Sequence, residues 1–355
     1  MSLLAVIAFH FPALLTSQQF RTVYTEGLAR TLVLIGLIAS LALGTFAILT
    51  GRDRKIAFVG VLSAALAVML GGATVHFERI QPTPFSFGLD WFLISLVVSA
   101  AVFIPIERMM AVRPMSPLRP EWRTDMAYFF MSHMLIQFIF ITVTASTATI
   151  AAFAAVPTVR AFLQGLPFLL QLLMCIVFAD LFQAALHRAY HKFNLLWRFH
   201  AVHHSSRHMD WLAGSRVHLF EIVLTRCAVL LPLVVLGFSA PAVNAYVVLV
   251  GIQAVLAHAN LKLEFGWLEY VVCSPRYHHW HHARDEAYVD ANYAIHLPVI
   301  DMLMGTFRRP PAGVWPEEYG VMDLETVPSG FIAQHAMPFG RKQAFEHFAG
   351  QQSGL

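Results

Sequence analysis

The sequence predicts an all-α, polytopic integral membrane protein with a histidine-rich metal site, and three observations carry that expectation. Of the 355 residues, 57% are hydrophobic and only 13% charged, about half the charge of an ordinary soluble domain, and mean hydropathy is +0.62. The apolar residues gather in long runs instead of alternating with polar ones. Histidine supplies the third observation: 18 are present, 13 of them between His187 and His296. A formal charge of +3 without a basic–aromatic stripe excludes nucleic acid as a partner. Cys175, Cys227 and Cys273 lie far apart with no CxxC, which sets aside a disulfide framework and a zinc knuckle.

Taken in order, Met1–Thr16 is too short for a span and lacks the charged start of a cleavable signal peptide. Thr31–Thr50 and Ile56–Val75 are uncharged runs, each long enough to cross about 30 Å of hydrocarbon as a helix. Trp91–Ile106, Ala127–Ala154 and Phe168–Leu186 follow. Arg52, Arg54 and Lys55 mark one connection and Arg108, Arg113, Arg119 and Arg123 another, two spans later; the positive-inside bias puts both on the cytoplasmic side. The connection around Arg160 is then outside, and the chain returns to the cytoplasm near His187. Glu221–Gly237 and Pro241–Ala257 form an apolar pair joined through GFSAP. They are short and contain Arg226, so a hairpin deep in the membrane and a full double span both satisfy the pattern. After Phe307 the chain turns polar, with Pro310 and Pro311 leading into a mixed-charge tail. The expected organisation is an amino-terminal transmembrane extension over 1–110, a catalytic domain over 120–307 and a cytoplasmic tail over 308–355.

His187 and His191 are four apart, so on a helix both rings leave one face. HAVHH (200–204) and HHWHH (278–282) both contain HxxHH, which brings His200, His203 and His204, then His278, His281 and His282, into the same kind of array. With His258 at the end of its apolar run, nine nitrogen ligands are available. That is too many for one tetrahedral zinc and enough for two ions of higher coordination. Unliganded imidazoles packed this closely would repel on protonation and leave ring nitrogens unsatisfied. The scattered His10, His76, His133, His335 and His347 read as ordinary hydrogen-bonded residues, and His208, His218, His279 and His296 as supporting or surface groups. Imidazole suits iron, zinc, copper or nickel, not magnesium or calcium. Ligands at the ends of membrane helices imply a substrate dissolved in the bilayer, and an alkyl chain offers no bond to hydrolyse but can be oxidised. Redox-active iron is the expected metal.

HRAYH (187–191), LWRFHAVHHSS (196–206), His258 followed by Asn260, and SPRYHHWHH (274–282) resemble, in order, the motifs of the fatty acid hydroxylase and sterol desaturase superfamily of membrane non-haem di-iron enzymes. NYA (292–294) and DMLMGTF (301–307) resemble its closing segment. The resemblance runs from roughly Asp180 to Phe307. It implies two Fe ions held by His187, His191, His200, His203, His204, His258, His278, His281 and His282, with O2 as co-substrate. The reaction implied is oxidation of an unactivated C–H bond in a membrane lipid: a sterol, fatty acyl group, sphingolipid, ether lipid or carotenoid. Hydroxylation is favoured over desaturation because it asks less of substrate positioning. No HPGG-like haem segment and no GxGxxG occur, so electrons are expected from a separate ferredoxin, cytochrome b5-like protein or NAD(P)H reductase. Some members carry another histidine shortly after the position of His258, where this chain has Asn260, Leu261 and Lys262. That leaves the second iron an open position, a water or a further ligand.

Three residues besides histidine are expected to matter at the site: Asp180, Asn260 and Asp301. Asp180 lies two helical turns before His187 on the same face, and a carboxylate among apolar neighbours needs a partner, either a ligand ring to orient or a hydrogen bond that packs the helix. Arg216, His218 and Glu221 in SRVHLFE suit a similar network or a helix cap. Asp290 and Asn292 suit ring orientation or a turn, and Asp301 is the preferred orienting residue. Two competing readings remain. A metal transporter or sensor would set its ligands near mid-bilayer between broken helices, whereas these clusters follow helix ends with Arg188, Lys192 and Arg198 among them. A zinc hydrolase would work without oxygen or reductant.

Overall fold

The computed structural model describes residues 1–17, 21, 25–51, 54–74, 87–154, 156–322 and 327–340. Arg52, His76, His347 and the last fifteen residues of the expected tail lie outside them. The described residues form helices, and their β-structure is one isolated bridge between Ala283 and Tyr319. They divide into two units, residues 1–98 with 133–141 and residues 99–132 with 142–355.

The first unit holds α1 (Ser2–His10), α2 (Glu26–Leu49) and α3 (Arg54–Met69). The Thr25 hydroxyl caps α2 by accepting from the Leu28 N–H. Val6, Val33, Leu37, Ala64 and Ala67 form the core of this unit. Gly44 permits its close approach: a Cβ there would lie 2.6 Å from Val61. Leu49 and Met69, 77% and 82% exposed, face outward with most of their apolar neighbours, as helices surrounded by hydrocarbon do.

α4 (Leu89–Met110) and α5 (Trp122–Ala154) contribute residues to both units. The second unit continues with α6 (Pro157–Gly165), α7 (Phe168–Lys192), α8 (Asn194–His204), α9 (Leu219–Leu236) and α10 (Ala240–His258), then the short α11 (Pro275–His281), α12 (Pro298–Met304) and α13 (Phe331–Ala336). Among the described residues, six helices are long and apolar enough to cross a membrane: Glu26–Leu49, Arg54–Thr74, Leu89–Met110, Phe168–Lys192, Leu219–Leu236 and Ala240–His258. The protein is therefore a multi-pass helical bundle. The run expected at Ala127–Ala154 lies within α5, where the central side chains fall outside the described set. α9 and α10 are separate helices of 18 and 19 residues, each about 27 Å long. α9 ends at Gly237 in the left-handed region, φ +94°.

Local sequence sets where the histidines fall. α7 continues six residues beyond its apolar run, so His187 and His191 share its last two turns. Only Phe193, with extended backbone, separates it from α8, which carries His200, His203 and His204. Ser274 caps α11 by accepting from the Tyr277 N–H at 3.1 Å, and Pro275 occupies its first turn.

A buried ion network braces this assembly. Arg119 pairs with Asp210 at 2.6 Å and Asp125 at 2.7 Å, and Arg216 pairs with Asp125 at 2.5 Å. Arg119, read from sequence as a free charge of a cytoplasmic connection, is thus an interior ion-pair partner, because two carboxylates meet its guanidinium. Removing one partner from such a cluster strands a charge. Asp125→Ala is expected to cost about 3–5 kcal/mol, read as a fall in the thermal unfolding midpoint in mild detergent; an unchanged midpoint would show that the network is not a brace.

Candidate metal centre

Five histidines, His187, His191, His200, His204 and His281, place one ligand nitrogen each within 4.8 Å of all the others, and His203, His258, His278 and His282 do the same as a second group. All nine histidines that the sequence singled out are therefore brought together, in sets of five and four. The HxxHH repeats show how. On α8 the i,i+4 pair His200 and His204 serves the first group and His203 the second; on α11 and its cap His278 and His282 serve the second and His281 the first. Each repeat feeds both groups, and the rings of His204 and His282 stack at 4.3 Å where the groups meet. A tight backbone admits His258, since a Cβ on Gly214 would lie 2.8 Å from its Nδ1.

Most outer nitrogens are committed to acceptors. Nδ1 of His187 donates to the Tyr293 carbonyl (2.8 Å), that of His281 to Ala291 (2.7 Å), that of His203 to Arg216 (3.0 Å) and that of His258 to Ala254 (2.8 Å). His200 Nδ1 donates to Glu221 Oε1 at 2.7 Å, and His191 Nδ1 lies 3.2 Å from Asp290 Oδ1. An Nδ1–H held outward leaves an Nε2 lone pair facing in. Burial, and after it the charge of neighbouring rings, holds His200, His204, His278, His281 and His282 well below the ordinary imidazole pKa. Their neutral form is the one that binds metal.

The arrangement suits cations. Inner Nε2 atoms sit 3.0 Å apart for His187 and His200, 3.2 Å for His200 and His204, 3.3 Å for His203 and His258, and 3.1 Å for both His258–His278 and His278–His282. Nitrogens about 2.1 Å from one metal and at right angles lie about 3.0 Å apart. His281 Nε2 is buried with no hydrogen-bond partner, an orphan that a metal would satisfy. An all-imidazole donor set fits iron and its first-row neighbours.

Asp180 and Asp301 act one step back from the rings. Asp180 accepts from the N–H groups of Ile295 (3.0 Å), His296 (3.2 Å) and Leu297 (2.7 Å). Asp301 accepts from the N–H groups of Tyr293 (2.8 Å) and Ala294 (2.7 Å), and from the hydroxyls of Tyr277 (2.8 Å) and Thr306 (2.6 Å). Both pin the loop whose Tyr293 and Ala291 carbonyls hold His187 and His281. Asn292, at φ +62°, bonds both ways to the Arg308 backbone, a left-handed position that Asn tolerates. Asn260 spends its amide on Arg113, accepting from its N–H and donating to its carbonyl.

Arg216 presents its carbonyl to His203 and its side chain to Asp125, and His218 caps α9 by accepting from Phe220 N–H. His279 turns away: its Nε2 donates to Ala259 O, and its Nδ1 accepts from the Tyr319 hydroxyl. His10 Nε2 donates to Leu70 O and His335 Nδ1 to Phe331 O. None of His208, His218, His279 and His296 belongs to either group. Sequence reasoning missed the carbonyls of Ala291, Tyr293 and Arg216, which carry no residue-type signal. It also missed two rings that wall the first group: Tyr190, stacked on His200 at 5.2 Å, and Trp197, 5.0 Å from His191.

Residues 172–306 match the family described as fatty acid hydroxylase. The chain is 32% identical over 179 residues to the ornithine lipid hydroxylase OlsE of Rhizobium tropici, covering 50% of this chain and 52% of that protein. It is 33% identical over 131 residues to the alkylglycerol monooxygenase of Danio rerio, 34% of this chain and 27% of that one. It is 30% identical over 137 residues to the very-long-chain aldehyde decarbonylase GL1-1 of Oryza sativa subsp. indica, 36% of this chain and 21% of that protein. The chain thus spans about half the length of the bacterial relative and less of the others. No solved structure matches it.

Because Asp301 touches no ligand ring, its loss isolates the contribution of the pinned loop. Asp301→Ala is expected to weaken metal binding about 10–100-fold in competition with a chelator, while His208→Ala leaves it unchanged; equal affinities for both would refute the positioning role.

Proposed function

From the premise that residues 172–306 make this chain a member of the fatty acid hydroxylase family, we propose that it is a membrane-bound di-iron oxidoreductase that hydroxylates an unactivated C–H bond of a membrane lipid. One observation carries the reading: nine histidines from four helices and the cap of one present their inner nitrogens as groups of five and four. His187, His191, His200, His204 and His281 hold one iron, and His203, His258, His278 and His282 hold the other. Asn260, its amide spent on the Arg113 backbone, is not a further ligand of the four-histidine group. When bound, the pair of irons supplies the oxidising power, drawn from O2 and from electrons of a separate ferredoxin, cytochrome b5-like protein or reductase.

The chain's own residues supply rigidity and exclusion of water. Asp180 and Asp301 fix the 291–297 loop, Asn260 fixes the turn after α10, and Glu221 holds His200; all four are positioning residues. The histidine groups lie at the ends of α7 and α10, so a lipid reaches them from the hydrocarbon. The positive-inside count orients that end to the cytoplasm. In this reading 1–110 is an amino-terminal transmembrane extension, 120–307 the catalytic domain and 308–355 a cytoplasmic tail.

Hydroxylation is preferred to desaturation by the same centre, and the names of the bacterial and fish relatives, a hydroxylase and a monooxygenase, support that order. Transport is disfavoured by ligands gathered in one buried cluster and not strung along a path. Incubation of the iron-loaded protein with a lipid mixture, reductant and 18O2 is expected to give an alcohol carrying the label. Label found only in water beside a new alkene would select desaturation, and product formed without oxygen would select hydrolysis.

A further inference from the structure

Beyond α10 the chain carries a surface that contact with water does not account for. Two elements too short to span a membrane, the helical turn Gly266–Tyr270 and α12, turn apolar side chains outward. Trp267 is 72% and Leu303 82% exposed, and Leu268, Val271, Val299 and Met302 are exposed with them. The two elements lie side by side. At one end the Cys273 N–H donates to the His296 carbonyl at 2.9 Å, and at the other the rings of Tyr270 and Phe307 are 5.6 Å apart. α12 is inverted relative to a helix that faces water: Asp301, its one polar side chain, is buried, while Val299, Met302 and Leu303 point out. Single exposed apolar residues are ordinary, whereas a contiguous patch marks a surface with an apolar partner.

Position in the bundle identifies that partner. The inner face of α12 packs through Ile300 on Ala184 of α7, and Asp180 of the same helix holds the N–H groups of Ile295, His296 and Leu297 just before α12. Ala184 and Asp180 lie eight and twelve residues before Lys192, about 12 and 18 Å back from the end of a helix apolar enough to cross a membrane. α10 gives the same level. Its Tyr246, twelve residues before His258, meets the His296 ring edge-on at 5.8 Å, and its Gln253 donates from Nε2 to the Cys273 carbonyl at 3.0 Å. Two spanning helices therefore hold these short elements at a depth where lipid surrounds the bundle. Their side chains also satisfy the backbone there, the condition for irregular backbone to sit at such a depth. Asp180 gains a role from this placement: its carboxylate takes three N–H groups that hydrocarbon would leave bare.

A basic rim borders the patch. Arg188 Nη1 donates to the Met304 carbonyl and Arg308 Nη1 to the Phe307 carbonyl, both at 3.2 Å, and the Arg309 guanidinium lies 5.0 Å from the centre of the Tyr270 ring. Tryptophan and arginine are the side chains that settle at headgroup level, with guanidinium on phosphate. We propose that the outer surface of 266–272 and 298–304 is set into one leaflet of the bilayer, its apolar side chains against phospholipid acyl chains and Arg308 and Arg309 at the phosphates. That lipids gathered there include the substrate rests on the function proposed above; the contact with lipid does not.

The test is spin labelling of the full chain in phosphatidylcholine vesicles. Cys227→Ser removes the native thiol that is only partly buried, and labels are placed singly through Val299→Cys, Leu303→Cys and Arg309→Cys. Leu173→Cys, on the exposed face of α7, is the lipid reference, and Glu317→Cys, exposed beyond the patch, the water reference. Collisions with oxygen, which concentrates in hydrocarbon, are compared with collisions with a water-soluble nickel chelate. The labels at 299 and 303 are expected to match Leu173→Cys, with chelate collisions lost, and the label at 309 to fall between the references. Chelate collisions at 299 and 303 as frequent as at Glu317→Cys would overturn the proposal. So would loss of both kinds of collision together with dipolar broadening between chains, which would put a second copy of this chain on the patch. A label at 309 that matches Glu317→Cys would overturn the placement of the rim. None of these readouts needs iron or product, so the two readings fail separately: lipid contact without oxygen-dependent product would sink the oxidase and spare the surface, and an active oxidase whose labels meet the chelate would do the reverse.

Discussion

Nine imidazoles buried together must all be neutral, and each must turn its N–H away from the others; the second unit is organised around that constraint. Inner nitrogens 3.0 to 3.3 Å apart bring lone pairs face to face, which only a cation or a shared proton relieves. Outer nitrogens then need acceptors where water is scarce. For six of the rings the chain supplies them: carbonyls for His187, His203, His258 and His281, and Glu221 and Asp290 for His200 and His191. Neutral rings with a fixed tautomer are also the state that a metal requires, so the same arrangement that makes burial tolerable makes the groups ready ligands.

Support passes outward in layers. Tyr293 and Ala291 hold histidines because Asp301 and Asp180 hold their loop. Arg216 holds His203 with its carbonyl while Asp125 holds Arg216, and Asp125 is shared with Arg119. Each layer is buried, so a defect in one is not repaired by solvent. The close spacing of the two groups follows from neighbouring histidines, His203 with His204 and His281 with His282, which the helix directs to different groups.

Much of this was legible in the sequence, and the limits have physical causes. Hydropathy marked the spans because hydrocarbon selects apolar side chains, but it stopped at Leu186, where α7 runs on to Lys192, since a helix continues as long as its backbone bonds do. The HxxHH spacing brought the right rings forward, yet the division into five and four depends on how α7, α8, α10 and α11 cross. Asp180 was expected either to orient a ligand ring or to make a packing hydrogen bond, and it grips backbone N–H groups; composition shows that a buried carboxylate needs donors, not which donors. Arg119 looked like a topological signal because its partners Asp125 and Asp210 are distant or unremarkable in sequence. The carbonyl acceptors were invisible, as every residue has one.

The central claim is that this chain binds two metal ions through nine histidines and that the ions are iron. Mössbauer spectroscopy on protein expressed with iron-57, alongside metal analysis per chain, tests it directly. Two irons per chain are expected in one coupled, nitrogen-ligated pair, lost from the spectrum of His203→Ala or His281→Ala. A single zinc, or no stoichiometric iron even after anaerobic reconstitution, would contradict it.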